Sequence, residues 1–191
     1  MPSVPPAEPL RVIAGQAKGR RLAAPAGRDV RPTADRVREA LFSMLEVHLG
    51  GLEGLRVADL ACGSGALGIE ALSRGAERCT FVDISARSLR TATSNLTAVG
   101  LAPGAATFVK DDLLRWARRQ EPDSLDLVLV DPPYGWDGWG DLLAALSGAA
   151  GAVAAESDRQ ITTMSGWASL RTRRHGGTVV TVLVADRDFQ G

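Results

Sequence analysis

Asp59-Leu60-Ala61-Cys62-Gly63-Ser64-Gly65-Ala66-Leu67-Gly68 decides the fold. The apolar run 55–60 leads into it as a strand, and a helical run, 66–74, leaves it, closed by Gly75. Gly-x-Gly-x-x-Gly between a strand and a helix makes a tight turn and lets a ligand approach the backbone closely. Alone, the pattern serves several cofactors, nicotinamide and flavin nucleotides among them. Asp59 narrows the choice. It stands four residues before Gly63, where a dinucleotide fold usually keeps apolar strand. A carboxylate there suits a ligand bearing cationic or amine groups rather than a pyrophosphate. S-adenosylmethionine, with a sulfonium and an ammonium, fits that description.

Outward from this turn the chain alternates. Strands are expected at 78–84, 106–109, 125–130 and 152–155, and helices at 86–99, 113–119 and 139–146. Repeated strand–helix alternation predicts an α/β, Rossmann-like fold, a mostly parallel sheet covered on both faces. Runs 168–174 and 178–185 around Gly176-Gly177 predict a hairpin and thus an antiparallel C-terminal edge. Upstream, residues 1–10 read as a proline-rich tail. Runs 11–14 and 21–24 predict an N-terminal β-hairpin whose turn carries Lys18, Arg20 and Arg21. Thr33 is placed to cap a helix over 34–49, with Val37, Leu41, Met44, Leu45 and His48 at helical spacing and Gly50-Gly51 at its end. The organisation expected is a tail at 1–10, a basic hairpin and helix at 11–50, and a catalytic domain at 51–191.

Charge is unevenly spread. The 22 Lys and Arg balance 22 Asp and Glu, which excludes a uniformly basic nucleic-acid binder. From Arg11 to Arg38, however, eight basic residues face two acids, a local charge of +6. Lys18, Arg20, Arg21, Arg31, Arg36 and Arg38 are the candidates to meet a polyanion. Cys62 and Cys79 have neither the number nor the spacing of a metal site or disulfide framework, so no metal is expected. No apolar run approaches the roughly 20 residues that span a membrane. The opening stretch lacks a signal-peptide pattern, and a cytoplasmic monomer is expected.

The acids after the next strands complete the candidate cofactor site. Phe81-Val82-Asp83 ends a strand on a carboxylate that can accept two ribose hydroxyls. Asp111-Asp112 follows another strand. Asp112 can accept from an adenine amino group and can equally cap the following helix. The candidate cofactor contacts are therefore Asp59, Cys62, Gly63, Ser64, Gly65, Gly68, Asp83 and Asp112.

The fourth strand, 125–130, stops at Asp131-Pro132-Pro133-Tyr134. The prolines fix φ and stiffen the turn, so its carbonyls point in set directions. An exocyclic base amine donates two hydrogens, one to Asp131 and one to the Pro132 carbonyl. Tyr134 can stack on the flat base. Asp131, Pro132, Pro133 and Tyr134 form the candidate reaction centre for methyl transfer to such an amine. Of the two tryptophans beyond it, Trp139 reads as core, while Trp136 fits core and substrate mouth equally.

Arg31-Pro32-Thr33-Ala34-Asp35-Arg36-Val37-Arg38-Glu39-Ala40-Leu41-Phe42 resembles the signature ahead of the catalytic domain in bacterial 16S ribosomal RNA guanine-N2 methyltransferases. Arg11-Val12-Ile13-Ala14-Gly15 with Lys18-Gly19-Arg20 is similar to that family's N-terminal hairpin, and Asp59 to Gly75 and Asp131 to Tyr134 match in order and spacing. The resemblance covers roughly 11–185. It implies a seven-stranded class I methyltransferase fold, S-adenosylmethionine, and one guanine N2 in 16S rRNA within an assembling 30S particle. It also implies that Arg31, Thr33, Arg36 and Arg38 lie near the cofactor and the RNA. The chain departs from the pattern at His175-Gly176, where Tyr-Gly is expected, and over the polar stretch 156–166.

Rival readings are a methyltransferase for DNA adenine N6 or protein glutamine, a nicotinamide enzyme, and a noncatalytic RNA-binding assembly factor. Asp rather than Asn at 131 leans away from glutamine. Asp59, and the lack of a histidine at a strand tip (only His48 and His175 exist), lean away from hydride chemistry.

Overall fold

Five strand-like runs separated by amphipathic ones can bury themselves only side by side, between helical layers. The computed structural model, which describes residues 10–24 and 32–186, has this arrangement. The strands are β1 (Arg56–Leu60), β2 (Arg78–Asp83), β3 (Ala106–Lys110), β4 (Leu125–Val130), β5 (Ala150–Ser157), β6 (Trp167–His175) and β7 (Thr178–Ala185). The helices are α1 (Pro32–Leu49), α2 (Ala66–Ser73), α3 (Ala86–Ala98), α4 (Leu113–Ala117) and α5 (Trp139–Leu146). One seven-stranded sheet runs β3-β2-β1-β4-β5-β7-β6. Strands β1 to β5 are mutually parallel; β7 is antiparallel to both β5 and β6.

Each face has its own core. Val57, Leu127, Leu129, Ala154, Val180 and Val182 pack with α1, α2, α3 and the N-terminal segment. Ala58, Leu60, Val128, Val130, Val153 and Leu183 pack with α4 and α5. Val37, Leu41, Met44 and Leu45 are buried at their helical spacing, and Phe42 joins them. His48 does not: it is exposed in the last turn. Helix α1 starts at Pro32, a residue suited to a first helical position, so Thr33 lies within the first turn instead of capping it. Strand β5 extends beyond 152–155 at both ends, because pairing with β4 and β7 carries Ala150, Gly151, Glu156 and Ser157 into the sheet.

The N-terminal segment folds back on itself through one antiparallel bridge, Arg11↔Arg21. Three backbone bonds close it, Leu22 N–H to Leu10 O at 2.8 Å, Val12 N–H to Arg20 O at 2.9 Å and Gly19 N–H to Val12 O at 2.8 Å. It stops short of two full strands because its free donors turn to the helices. Ile13 and Ala14 N–H donate to the Glu70 carboxylate at 2.7 and 2.9 Å, and Ala23 N–H donates to Asn95 Oδ1 at 2.8 Å. Gly15, at φ +79°, sits so close to α2 that a Cβ would lie 1.7 Å from Ser73 O.

Candidate active site

Parallel strands deliver their C-terminal loops to one edge of the sheet, and the order β3-β2-β1-β4-β5 places a switch of direction between β1 and β4. The loop after β1 carries the glycines, and the loop after β4 carries Asp131. They are therefore neighbours: β1 and β4 pair in register up to Leu60↔Val130, and Asp131 N–H reaches Leu60 O at 3.5 Å.

The glycine loop is held from inside. Ala61 at φ 56° and Gly63 at φ 55° turn the chain, and Gly65 at φ 76° opens α2. Asp59 is 1% exposed, and its Oδ2 accepts from Gly68 N–H at 2.8 Å. Burial, with the charges of Asp131 and Asp83, pushes its carboxyl well above the usual range, against the Gly68 bond. A Cβ on Gly68 would lie 2.4 Å from the Phe81 ring, and one on Gly65 would lie 2.9 Å from Ala92 Cβ. These two glycines permit close packing of α2 on β2 and α3. Ser64 is buried, and its carbonyl accepts from Asn95 Nδ2 at 2.9 Å. Cys62 is also buried, which raises its thiol pKa.

Asp83 stands at the tip of β2, half-buried. Its Oδ2 accepts from Gly63 N–H at 2.9 Å and its Oδ1 from Ser85 N–H at 2.7 Å. Each oxygen keeps a second lone pair. Asp112 caps α4 through Oδ1 to Arg115 N–H at 3.0 Å and is exposed. Asp111 is covered by ion pairs with the exposed Arg115 and Arg119; Arg119 above all holds its carboxyl below the usual range.

Asp131-Pro132-Pro133-Tyr134 is braced at three points. Trp136 N–H donates to Pro133 O at 3.1 Å across a turn whose third residue, Gly135, has φ 83°, the position where a type II turn needs glycine. Gly135 N–H donates to Asp158 Oδ2 at 3.0 Å. The Tyr134 hydroxyl shares a 2.6 Å hydrogen bond with Thr178 Oγ1, while the residue stays 52% exposed. The turn uses the Pro133 carbonyl and leaves that of Pro132 out of its bonding. Trp136 meets Trp139 edge-on at 4.9 Å; Trp139 is buried core.

Glu156, Arg38, Asp158 and Thr178 lie around this centre, and the sequence reading missed the first, third and fourth as site residues. One residue beyond the last β4–β5 pair, Val130↔Ala155, Asp131 comes level with Glu156. The Glu156 carboxyl is pushed up to about 8, by burial and then by the Asp131 charge, with Arg38 opposing and Asp59 adding. An acid ending a buried strand is the signal that could have found it. Arg38, one of the basic candidates, points inward. It is 3% exposed, pairs with Asp35 at 3.0 Å and donates to Arg11 O. Lys18, Arg20, Arg21 and Arg36 are exposed. Arg31 lies outside the described residues.

Comparison with known proteins extends the same picture. Residues 10–184 match a family described as "Conserved hypothetical protein 95". The Bacillus subtilis (strain 168) protein YlbH, provisionally named an rRNA methyltransferase, is 42% identical over 126 residues, 65% of this chain and 67% of that protein. Ribosomal RNA small subunit methyltransferase D of Escherichia coli (strain K12) is 37% identical over 126 residues, 65% of this chain and 60% of the relative. The match thus spans about two thirds or less of these curated relatives. Escherichia coli yhhF, its structure provisionally described as that of a methyltransferase, superposes with a TM-score of 0.78 at 28% identity, covering 93% of this chain and 98% of that one. Magnesium protoporphyrin IX methyltransferase from Synechocystis PCC 6803, solved with bound SAM, shares the fold at a TM-score of 0.66 and 20% identity, covering 83% and 82%. The Rossmann-like class I methyltransferase fold is the one these neighbours have.

Proposed function

This chain belongs to the family described as conserved hypothetical protein 95, and from that premise we propose that it transfers a methyl group from S-adenosylmethionine to the exocyclic N2 of a guanine in 16S ribosomal RNA. The observation that carries this reading is the adjacency, across the β1–β4 switch point, of the glycine loop and Asp131-Pro132-Pro133-Tyr134. The relatives named as ribosomal RNA small subunit methyltransferase D support the substrate, and the resemblance at 31–42 supports guanine N2.

The donor set fits S-adenosylmethionine. Asp83 holds Gly63 N–H yet keeps a lone pair on each oxygen for ribose hydroxyls. Asp59, buried beneath the loop, accepts from Gly68 N–H and so fixes the turn against which the ligand would lie. Asp112, exposed at the neighbouring loop, is the residue assigned to the adenine amino group. Cys62, Gly63, Ser64, Gly65 and Gly68 line or shape the loop. When bound, the cofactor supplies an electrophilic methyl.

The chain's own residues then position the base amine. Asp131 accepts one of its hydrogens and the Pro132 carbonyl the other, which directs electron density onto the nitrogen. Tyr134, its ring fixed by the bond to Thr178, stacks on the base. A paired guanine must leave its stack first. The proton lost on methylation passes to Asp131 or to water. Lys18, Arg20, Arg21, Arg31 and Arg36 are assigned to RNA phosphates, within a basic appendage at 11–50 on a catalytic domain at 51–191. The substrate assigned is an assembling 30S particle, and the enzyme a cytoplasmic monomer that uses no metal. No helix among the described residues is long and apolar enough to cross a membrane.

The test uses labelled S-adenosylmethionine with 30S particles, naked rRNA, DNA and total protein that lack the modification. Asp131→Ala is expected to lower transfer to rRNA by at least about 100-fold while S-adenosylmethionine binding measured by calorimetry stays within a few-fold. Normal transfer by Asp131→Ala would refute the mechanism.

A further inference from the structure

The C-terminal edge of the sheet carries a basic surface that the reaction centre does not use. Strand β6 is the outermost strand and presents Arg171, Arg173 and Arg174, all exposed. From Gln160 to Ala185 the sequence has no Asp or Glu. Among the described residues none of the three arginines makes an ion pair, whereas the nearby Arg159 pairs with Asp137 and Asp158. Arg171 and Arg173 share one face of this edge strand and repel one another, and Arg174 adds a cation on the other face, so the edge favours an anion from outside.

The register relates this surface to the reaction centre. Because β7 is antiparallel to β5 and β6 is antiparallel to β7, β6 runs in the same direction as β1 to β5. Its C-terminal end, Arg173 to His175, therefore lies at the edge where Asp131 and Tyr134 stand. Glu156 pairs with Val180, and Val180 pairs with Arg173. Asp131, Glu156, Val180 and Arg173 thus form one row across four strands, roughly 14 Å from end to end at the usual strand spacing. His175, two positions beyond Arg173 on the same strand, pairs with Thr178, which holds the Tyr134 hydroxyl. Cross-strand partners share a face. Arg171 and Arg173, opposite Val182 and Val180, lie on the face covered by α1, the face on which the N-terminal basic segment packs. That segment is anchored to α2 and α3, which pack on β1 and β2, on the far side of β4. An acidic centre is flanked by basic groups on both sides.

We propose that Arg171, Arg173 and Arg174 on β6 form a second contact surface for the RNA phosphodiester backbone, so that the strand bearing the target base crosses the sheet edge from the N-terminal segment over Asp131 to β6. The inference rests on the reading of the substrate as RNA. Phosphate contacts are sequence-independent and salt-dependent.

The experiment compares the full chain with the triple variants Arg171→Ser/Arg173→Ser/Arg174→Ser and Arg171→Lys/Arg173→Lys/Arg174→Lys. Binding of a mixed-sequence single-stranded RNA is measured by fluorescence anisotropy across a salt series, alongside label transfer to 30S particles. The serine variant should bind at least about 10-fold more weakly, with a log–log salt slope shallower by about 2, while the lysine variant keeps most of the slope. Thermal melting and S-adenosylmethionine binding should be unchanged in both. If the serine variant melts early, Arg173→Gln alone carries the test, with a slope shallower by about 0.7. An unchanged affinity and slope would overturn the proposal. So would a serine variant that self-associates while binding RNA normally, since the arginines would then only guard an open edge. Wild-type protein that labels 30S particles while these variants bind normally refutes the β6 surface alone. Wild-type protein that labels DNA or protein and never rRNA refutes the substrate reading and the surface with it.

Discussion

Two acids on neighbouring strands, Asp131 and Glu156, bear on one another electrostatically at this edge of the sheet. Asp131 is assigned to the amine, and Glu156, level with it on β5, carries a carboxyl raised to about 8 by burial and the Asp131 charge. Such a group is mostly protonated at pH 7. In the unfolded chain Glu156 returns to the ordinary glutamate range. Its raised folded pKa favours the native state fully below that range, and the advantage is lost as pH rises through about 8. Glu156→Gln cannot ionise and escapes this loss. Its melting temperature relative to wild type should rise between pH 5 and 8.5 and then level off, by at least roughly 2–4 °C. A difference between the two proteins that is flat in pH would show that Glu156 does not titrate in this window. Neither partner in this pairing was legible as a pair in the sequence. Asp131 stood out because two prolines and a tyrosine follow it. Glu156 sat in a stretch that read as polar and off-pattern, and only the β4–β5 register reveals its neighbour.

Elements were far more legible than contacts. Central strands buried on both faces are apolar over most of their inner positions, so β1, β2 and above all β4 read directly from their runs. Helix α1 was equally plain from Val37, Leu41, Met44 and Leu45. The residues that join elements were hidden, because their partners are distant in sequence. Glu70 looks like one polar position in α2; in the fold it is fully buried and accepts from Ile13 N–H, Ala14 N–H and Arg74 Nε. Asn95 likewise fastens Ala23 and Ser64 to α3. Glu70→Ala leaves two backbone donors and a buried guanidinium short of a partner, although Arg74 keeps Glu46 at 2.7 Å. The loss should be about 3 kcal/mol, or roughly 6–12 °C in melting temperature. Amide exchange should show the protection of Ile13 and Ala14 falling more than that of β4. Equal loss across the chain would deny Glu70 a specific role in anchoring the N-terminal segment.

Across the whole molecule, zero net charge conceals a division of labour. Acids gather at the C-terminal edge of the sheet, at Asp59, Asp83, Asp131 and Glu156, while exposed basic residues lie on the N-terminal segment and on β6. Charge reversal at Lys18, Arg20 and Arg21 should weaken RNA binding by about 10-fold or more at 0.1 M salt and flatten its salt dependence. Unchanged binding would mean that this segment is only a solvated face. The sequence disclosed this basic segment by composition but misjudged Arg38, whose burial against Asp35 and the Arg11 carbonyl no local pattern announces. Methyl transfer to a guanine amine at Asp131-Pro132-Pro133-Tyr134 is the proposal on which the other assignments depend. Nucleoside analysis of 16S rRNA, taken from 30S particles lacking the modification and incubated with S-adenosylmethionine and either wild-type protein or Asp131→Ala, tests it most directly. Labelled N2-methylguanosine is expected with wild type and almost none with Asp131→Ala. Label on another nucleoside, or equal label from both proteins, would contradict it.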